Sequence, residues 1–192
     1  MKILVERLEE TPTDLAFEAG PAWWRAWMPA DRSLPQEPDE PFEVALRAHL
    51  MGEDLYLEGV ITGALDVECS RCLACYRHTL HQTFRLVLEP ARSRVPADPE
   101  GAAALARDGL CLEEEIEAGW YRGSELDLGA FLHEIVSLEL PVKPLCREDC
   151  AGLCPRCGAD LNNDPCECAE VPADSPFAAL AALRTGSKEG DS

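Results

Sequence analysis

Ten cysteines, eight of them in close pairs, constrain this 192-residue chain more than any other feature. Six lie in Cys146-x3-Cys150-x3-Cys154-x2-Cys157-x8-Cys166-x-Cys168, and two more form Cys69-Ser70-Arg71-Cys72 far upstream. Thiols paired at such spacings are the donor sets of tetrahedral zinc sites. In Cys154-Pro155-Arg156-Cys157-Gly158 the turn between the ligands aims backbone N–H groups at sulfur, and the glycine relieves the tight backbone after it. Cys166 and Cys168 complete that tetrahedron. Cys146 and Cys150 then lack partners, as do Cys69 and Cys72, which suggests two four-thiolate sites, with the exchange of one cysteine between them left open. The second site would tie the tail of the chain to its body across a long loop and offset ordering entropy. Both ions would be structural, because a catalytic zinc keeps one position open for water or substrate. Cys75 and Cys111 remain as ordinary packed residues. His78 and His81, three apart on a strand, alternate faces and do not converge on a metal.

Charge narrows the partners. The chain carries 36 acidic and 17 basic residues, a net charge of -19. Each four-thiolate site with Zn²⁺ adds four negative and two positive charges, so two sites move the total to about -23. Such a surface repels a phosphate backbone unless its few cations gather on one face. A basic protein partner is more natural than naked RNA. The opening MKILVERLEE is too charged for an export signal, and no apolar run approaches the ~20 residues of a membrane-spanning helix. The expectation is a cytoplasmic protein without a membrane partner, where reducing conditions keep thiols free for metal.

Patterning predicts an α+β fold, with a curved antiparallel sheet, partly barrel-like, covered by a helix and followed by a zinc-ribbon-like module. Met1 to Leu8 reads as a short strand. Pro21 to Trp27, with three of the four tryptophans, reads as an N-terminal anchor packed on the sheet, Trp23 and Trp27 sharing a face if helical. Pro29 to Pro41 reads as an irregular connector. From Phe42 the period is two: Val44, Leu46, Ala48 and Leu50 share a face, Gly52 turns the chain, and Leu55 to Val67 continue as the second arm of a hairpin. Gly59 and Gly63 inside that arm suggest bending of the sheet. A third strand spans Leu80 to Leu88, and a short one lies near Glu115 to Tyr121. Between them, Pro90 to Gly109 reads as a mobile loop with a helical turn at Ala102 to Ala106. Asp127 caps a helix carrying Leu128, Phe131, Leu132, Ile135 and Val136, ended by Pro141. Phe177 to Leu183 predicts a final short helix. The expected organisation is a core over 1–145, a cysteine-rich module with its helix over 146–184, and a disordered tail over 185–192.

No phosphate-cradling glycine loop, nucleophile elbow or paired acid and base is visible, and acidic runs such as Glu113-Glu114-Glu115 read as solvated surface, so an enzyme is not expected. Cys69-Ser70-Arg71-Cys72-Leu73, with Leu140-Pro-Val-Lys-Pro-Leu-Cys146 and Ala151-Gly-Leu-Cys154-Pro-Arg-Cys157-Gly-Ala-Asp-Leu-Asn162, resembles the bacterial YceD family. The likeness extends weakly across Phe42 to Leu88, Leu128 to Leu140 and Asp174 to Leu183. It implies a role in accumulation of large-subunit (23S) ribosomal RNA during ribosome assembly. The chain departs in having Ser175-Pro176 after Asp174, where a basic residue is common. On this reading the protein binds precursor ribosomal RNA or large-subunit assembly proteins. Arg71, Arg77, Lys143, Arg147 and Arg156, with His78 and Arg85, lie on or beside the knuckles as contacts. The alternatives are an acidic, chaperone-like module for a basic ribosomal protein and, below it, a thiol redox or metal-relay protein.

Overall fold

The computed structural model describes residues 1–27, 38–113, 117–163 and 166–168. Alternation between Phe42 and Pro90 builds its centre. In β3 (Phe42–Met51), Phe42, Val44, Leu46 and Ala48 are buried while Glu43, Ala45 and Arg47 face solvent. Gly52, at φ +67, turns the chain into β4 (Asp54–Glu68). β4 pairs with β3 from Met51↔Asp54 to Glu43↔Thr62. It also pairs with β5 (Cys75–Pro90) from Leu55↔Leu88 to Glu68↔Cys75. Pairing with β3 stops at Thr62, so the far end of the β4–β5 hairpin runs on alone and carries the loop from Cys69 to Ala74.

Beside β3 lies β2 (Thr13–Ala19), and beyond β5 come β7 (Ala118–Tyr121) and β6 (Leu110–Leu112). Among the described strands, only β5 and β7 run parallel. A separate two-stranded sheet joins β1 (Lys2–Leu4) to β8 (Glu125–Asp127). Beyond β1 the expected N-terminal strand becomes a 3-10 turn, Val5–Arg7. β2 escaped the reading of the sequence, although Leu15, Phe17 and Ala19 alternate with the exposed Asp14, Ala16 and Glu18. α2 (Pro99–Arg107) is a longer helix than the expected turn, and the Asp98 side chain accepts the Gly101 N–H at its start.

α3 (Gly129–Glu139) lays Phe131, Leu132, Ile135 and Val136 on the apolar face of the sheet, with Phe131 edge-on to Phe84 at 5.5 Å. Leu128, not Asp127, takes the cap position, and the Asp127 carboxylate one residue earlier accepts the Gly129 N–H at 2.8 Å. α1 (Pro21–Trp27) is the aromatic anchor. Its Trp24 is buried and stacks on Phe42, while Trp23 Nε1 donates to Gly129 O at 3.0 Å. Trp24, rather than Trp23 and Trp27, is the most buried of the three.

The expected barrel-like curl needs correction. The sheet is open, with β2 and β6 as unjoined edges. Pairing runs without a bulge through Leu46↔Gly59 and Gly63↔Leu80. A Cβ on Gly63 would lie 2.2 Å from Phe42 Cδ1, and one on Gly59 2.7 Å from Phe84 Cζ. Gly63 leaves room for the Phe42 ring, and Gly59 for the Ala45 carbonyl, the Leu46 side chain and the Phe84 ring. Residues 28–37 of the connector, the helix expected at Phe177 to Leu183 and the 185–192 tail lie outside the described residues. Gly63→Ala should cost about 2 kcal/mol through overpacking against Phe42. Gly20→Ala, with nothing within 4 Å of its Cβ, should stay within about 0.5 kcal/mol. Urea denaturation of the pair checks this, and equal midpoints would contradict it.

Candidate functional site

The β4–β5 hairpin ends in a knuckle whose bonds are dictated by its two cysteines. Cys69 N donates to Ala74 O (3.0 Å), Leu73 N to Cys69 O (2.9 Å) and Arg71 N to Cys69 Sγ (3.5 Å). The same three bonds recur downstream. Cys154 N donates to Ala159 O (2.8 Å), Gly158 N to Cys154 O (2.9 Å) and Arg156 N to Cys154 Sγ (3.5 Å). The residue after the second cysteine is left-handed in both, Leu73 at φ +60 and Gly158 at φ +74. The two loops are one motif used twice, with an exposed leucine holding the conformation that glycine takes more easily.

Each knuckle meets a second pair of thiols. Cys69, Cys72, Cys146 and Cys150 bring their sulfurs within 4.8 Å of one another, as do Cys154, Cys157, Cys166 and Cys168. Within the first group, Cys69–Cys150 and Cys72–Cys146 are 3.8 and 3.7 Å apart. Zn–S bonds of about 2.3 Å in a tetrahedron require S···S edges of about 3.8 Å, so the residues fit the ion. In the second group Cys166 and Cys154 stand 3.3 Å apart. The fold therefore brings together the sets of thiols expected from the sequence.

The hairpin tip is buttoned to the downstream segment by more than sulfur. Ser70 N donates to Pro144 O (2.8 Å), Leu153 N to Arg71 O (3.1 Å) and Arg71 Nη1 to Cys150 O (2.8 Å). Gly152, at φ +78, passes so close that a Cβ would sit 3.0 Å from Arg71 O. Cys69, Cys72, Cys150 and Cys154 are buried in this seam.

Proton sharing in the groups is uneven. Backbone N–H groups of Cys146, Cys72 and Arg71 hold the Cys69 thiol down at about 6. Those of Cys157 and Arg156 do the same for Cys154, also about 6. Burial and the neighbouring thiols push Cys146 up to about 12, and its bond to Cys157 together with burial pushes Cys168 to about 12. Cys166 is raised by its bond to Cys154. Cys72 is raised too, burial and Cys69 outweighing the downward pull of the Ala74 N–H. Four adjacent thiols cannot all ionise until a cation neutralises them.

Of the proposed contact residues, Arg71, Lys143, Arg147 and Arg156 lie on the segments buttoned together, all exposed. Arg147 Nη2 donates to Asn162 Oδ1 at 2.7 Å, and its Nε lies 3.4 Å from Asp149. Arg77 is apart, on β5, paired with Glu40 at 2.8 Å. Among those noted beside them, Arg85 is exposed on β5 and His78 half-buried. His78 and His81 sit on opposite faces, as their spacing requires. Cys111 is buried against Ala91 and Leu105, but Cys75 is exposed, a correction to its expected packing. It falls on the outward face of β5, where Thr79 and His81 also point to solvent. The sequence reading missed Asn162 and Gly152 as parts of the seam; a glycine between two metal-spaced cysteines was the available signal for the second.

A family model described as "Large ribosomal RNA subunit accumulation protein YceD" matches residues 57–184, which include both thiol groups. An uncharacterised protein of Mycobacterium tuberculosis is 31% identical over 123 residues, 64% of this chain and 53% of that protein. One of Mycobacterium leprae is 33% identical over 129 residues, 65% of this chain and 51% of the relative. A protein of Arabidopsis thaliana named "Large ribosomal RNA subunit accumulation protein YCED homolog 1, chloroplastic" is 24% identical over 156 residues, 75% of this chain and 49% of its own length. The chain thus spans about half the length of these relatives. No solved structure matches it. Among the described residues, no helix is long and apolar enough to cross a membrane.

Protein purified under reducing conditions with Zn²⁺ should carry two equivalents by elemental analysis. Cys69→Ser/Cys72→Ser and Cys166→Ser/Cys168→Ser should each carry one; an unchanged count in the first variant would sink the division of ligands. Acid should weaken binding. Between pH 6 and 8, Cys72 and Cys146, or Cys166 and Cys168, must each lose a proton to the solvent when an ion enters. At least two protons per ion then leave, and affinity falls about a hundredfold per pH unit of acidification. Calorimetry in buffers of different ionisation enthalpy counts those protons, and fewer than two per ion would contradict the assignment.

Proposed function

Since the chain belongs to the YceD family of large ribosomal RNA subunit accumulation proteins, we propose that it is a cytoplasmic, non-enzymatic ribosome-biogenesis factor. It supports synthesis, processing or stability of 23S ribosomal RNA. The observation that carries this reading is the family match across residues 57–184, the stretch that contains both thiol groups and the hairpin tip. In this reading Cys69, Cys72, Cys146 and Cys150 hold one Zn²⁺, and Cys154, Cys157, Cys166 and Cys168 a second. When bound, each ion supplies a structural crosslink, since four thiolates leave no open position for water. The first crosslink closes a chain loop of 74 to 81 residues. A covalent link of that span removes about 4 kcal/mol of unfolded-state entropy, which sets the scale of the clamp.

The clamp fixes Arg71, Lys143, Arg147 and Arg156 in one seam, with Arg77 on the adjoining strand, and these five residues make the contact with precursor RNA or a large-subunit assembly protein. Net charge of -19 favours a second reading, in which the acidic surface shields a basic ribosomal protein before assembly. Depletion in a bacterial host should lower the ratio of large to small subunits and the level of 23S RNA; normal subunit profiles would remove the proposal. Direct RNA contact should show steep salt dependence, and Lys143→Ala should reduce the slope of log affinity against log salt by about one. Absent RNA binding, with retained binding to basic ribosomal proteins, would support the second reading instead.

A further inference from the structure

The two thiol groups share a side chain that belongs to neither. Asn162 lies between Cys157 and Cys166, in the loop closed by the second group. There Leu153 and Asp160 form a bridge, and Leu161 N donates to Gly152 O at 2.9 Å. Its amide faces the first group. Asn162 Nδ2 donates to Cys150 Sγ at 3.5 Å and to Asp160 Oδ1 at 2.6 Å. Asn162 Oδ1 accepts from Ala151 N at 2.7 Å and from Arg147 Nη2 at 2.7 Å. Both amide protons and both oxygen lone pairs are used, so the side chain has one orientation that satisfies it. The backbone N–H of Asn162 on Asp160 Oδ1, at 3.0 Å, fixes where that side chain starts.

An N–H donated to a thiolate spreads its charge and orients its lone pairs, and such outer partners typically change metal affinity 10- to 100-fold. Cys150 is a member of the first group, whereas the loop that delivers the donor is shaped by Cys154, Cys157, Cys166 and Cys168. We infer that Asn162 is a positioning residue that couples the two metal sites, so that filling either one raises the affinity of the other. The inference rests on the reading of both groups as zinc sites. Thermodynamic reciprocity requires the same coupling factor in both directions. Gly152 and Leu153, which touch Arg71 of the first knuckle and lie directly before Cys154 of the second, provide the backbone path along which the loop is held in register.

The test is a set of Zn²⁺ competition titrations against a chromophoric chelator. The full chain gives the product of both constants. Cys166→Ser/Cys168→Ser gives the first site alone, and Cys69→Ser/Cys72→Ser the second alone. In the native sequence the two-site product should exceed the product of the single-site constants by about tenfold. In an Asn162→Ala background that excess should fall below about twofold. Asn162→Asp keeps the acceptor oxygens and removes the donor to Cys150. It should abolish the excess too, with circular dichroism unchanged, which separates lost coupling from lost folding. Independent sites in the native sequence, or an excess that survives both Asn162 variants, would overturn the coupling while leaving two zinc sites standing. Failure of the native chain to bind Zn²⁺ would instead remove the metal reading on which it rests.

Discussion

Everything distinctive about this molecule hangs on the contact between the tip of the β4–β5 hairpin and the segment from Pro144 to Cys154. A hairpin that outruns its neighbouring strand has no sheet partner at its end, and its backbone would fray into water. Here the tip is held by thiols from a distant part of the chain and by the backbone bonds Ser70 N–Pro144 O and Leu153 N–Arg71 O. The packing around Cys69, Cys72 and Cys150 forms its own small cluster with Tyr76, Leu145 and Leu153, and Tyr76 also touches the core beneath α3. Main-chain pairing adds there to a small patch of buried side chains.

The seam also explains why a strongly acidic chain keeps arginines where it does. Arg71 holds the Cys150 carbonyl, and Arg147 holds Asn162. Each supports the thiol groups through a neutral partner while remaining exposed to solvent. A guanidinium has more donors than either bond consumes, so an architectural role leaves capacity for an outside ligand.

Legibility in the sequence followed period and spacing. The strands from Phe42 to Leu88 alternate cleanly because one face is buried and the other wet, and α3 shows its buried stripe for the same reason. Two groups of four thiols were readable because a tetrahedron needs four donors, while the spacings left the exchange of one cysteine open and the fold decides which sulfurs meet. What stayed hidden depends on contacts between distant residues. β2 is short and only half-buried as an edge, so its alternation is weak. Gly59 and Gly63 signalled something unusual, but only the folded positions of Phe42, Phe84, Leu46 and the Ala45 carbonyl show what the missing side chains make room for. Asn162 carries no mark of its role, which arises when its loop folds against Cys150.

The long reach of the first thiol group also shapes how the protein is made. Cys69 and Cys72 leave the ribosome with their hairpin, but Cys146 follows Cys72 by 74 residues. At roughly 5–20 residues per second, the half-formed cluster waits on the order of 4 to 15 s for its partners. Cys154 to Cys168 emerge almost immediately after them. The two clusters therefore assemble close together in time, and the hairpin tip becomes rigid only after a stretch of chain 74 residues downstream has emerged.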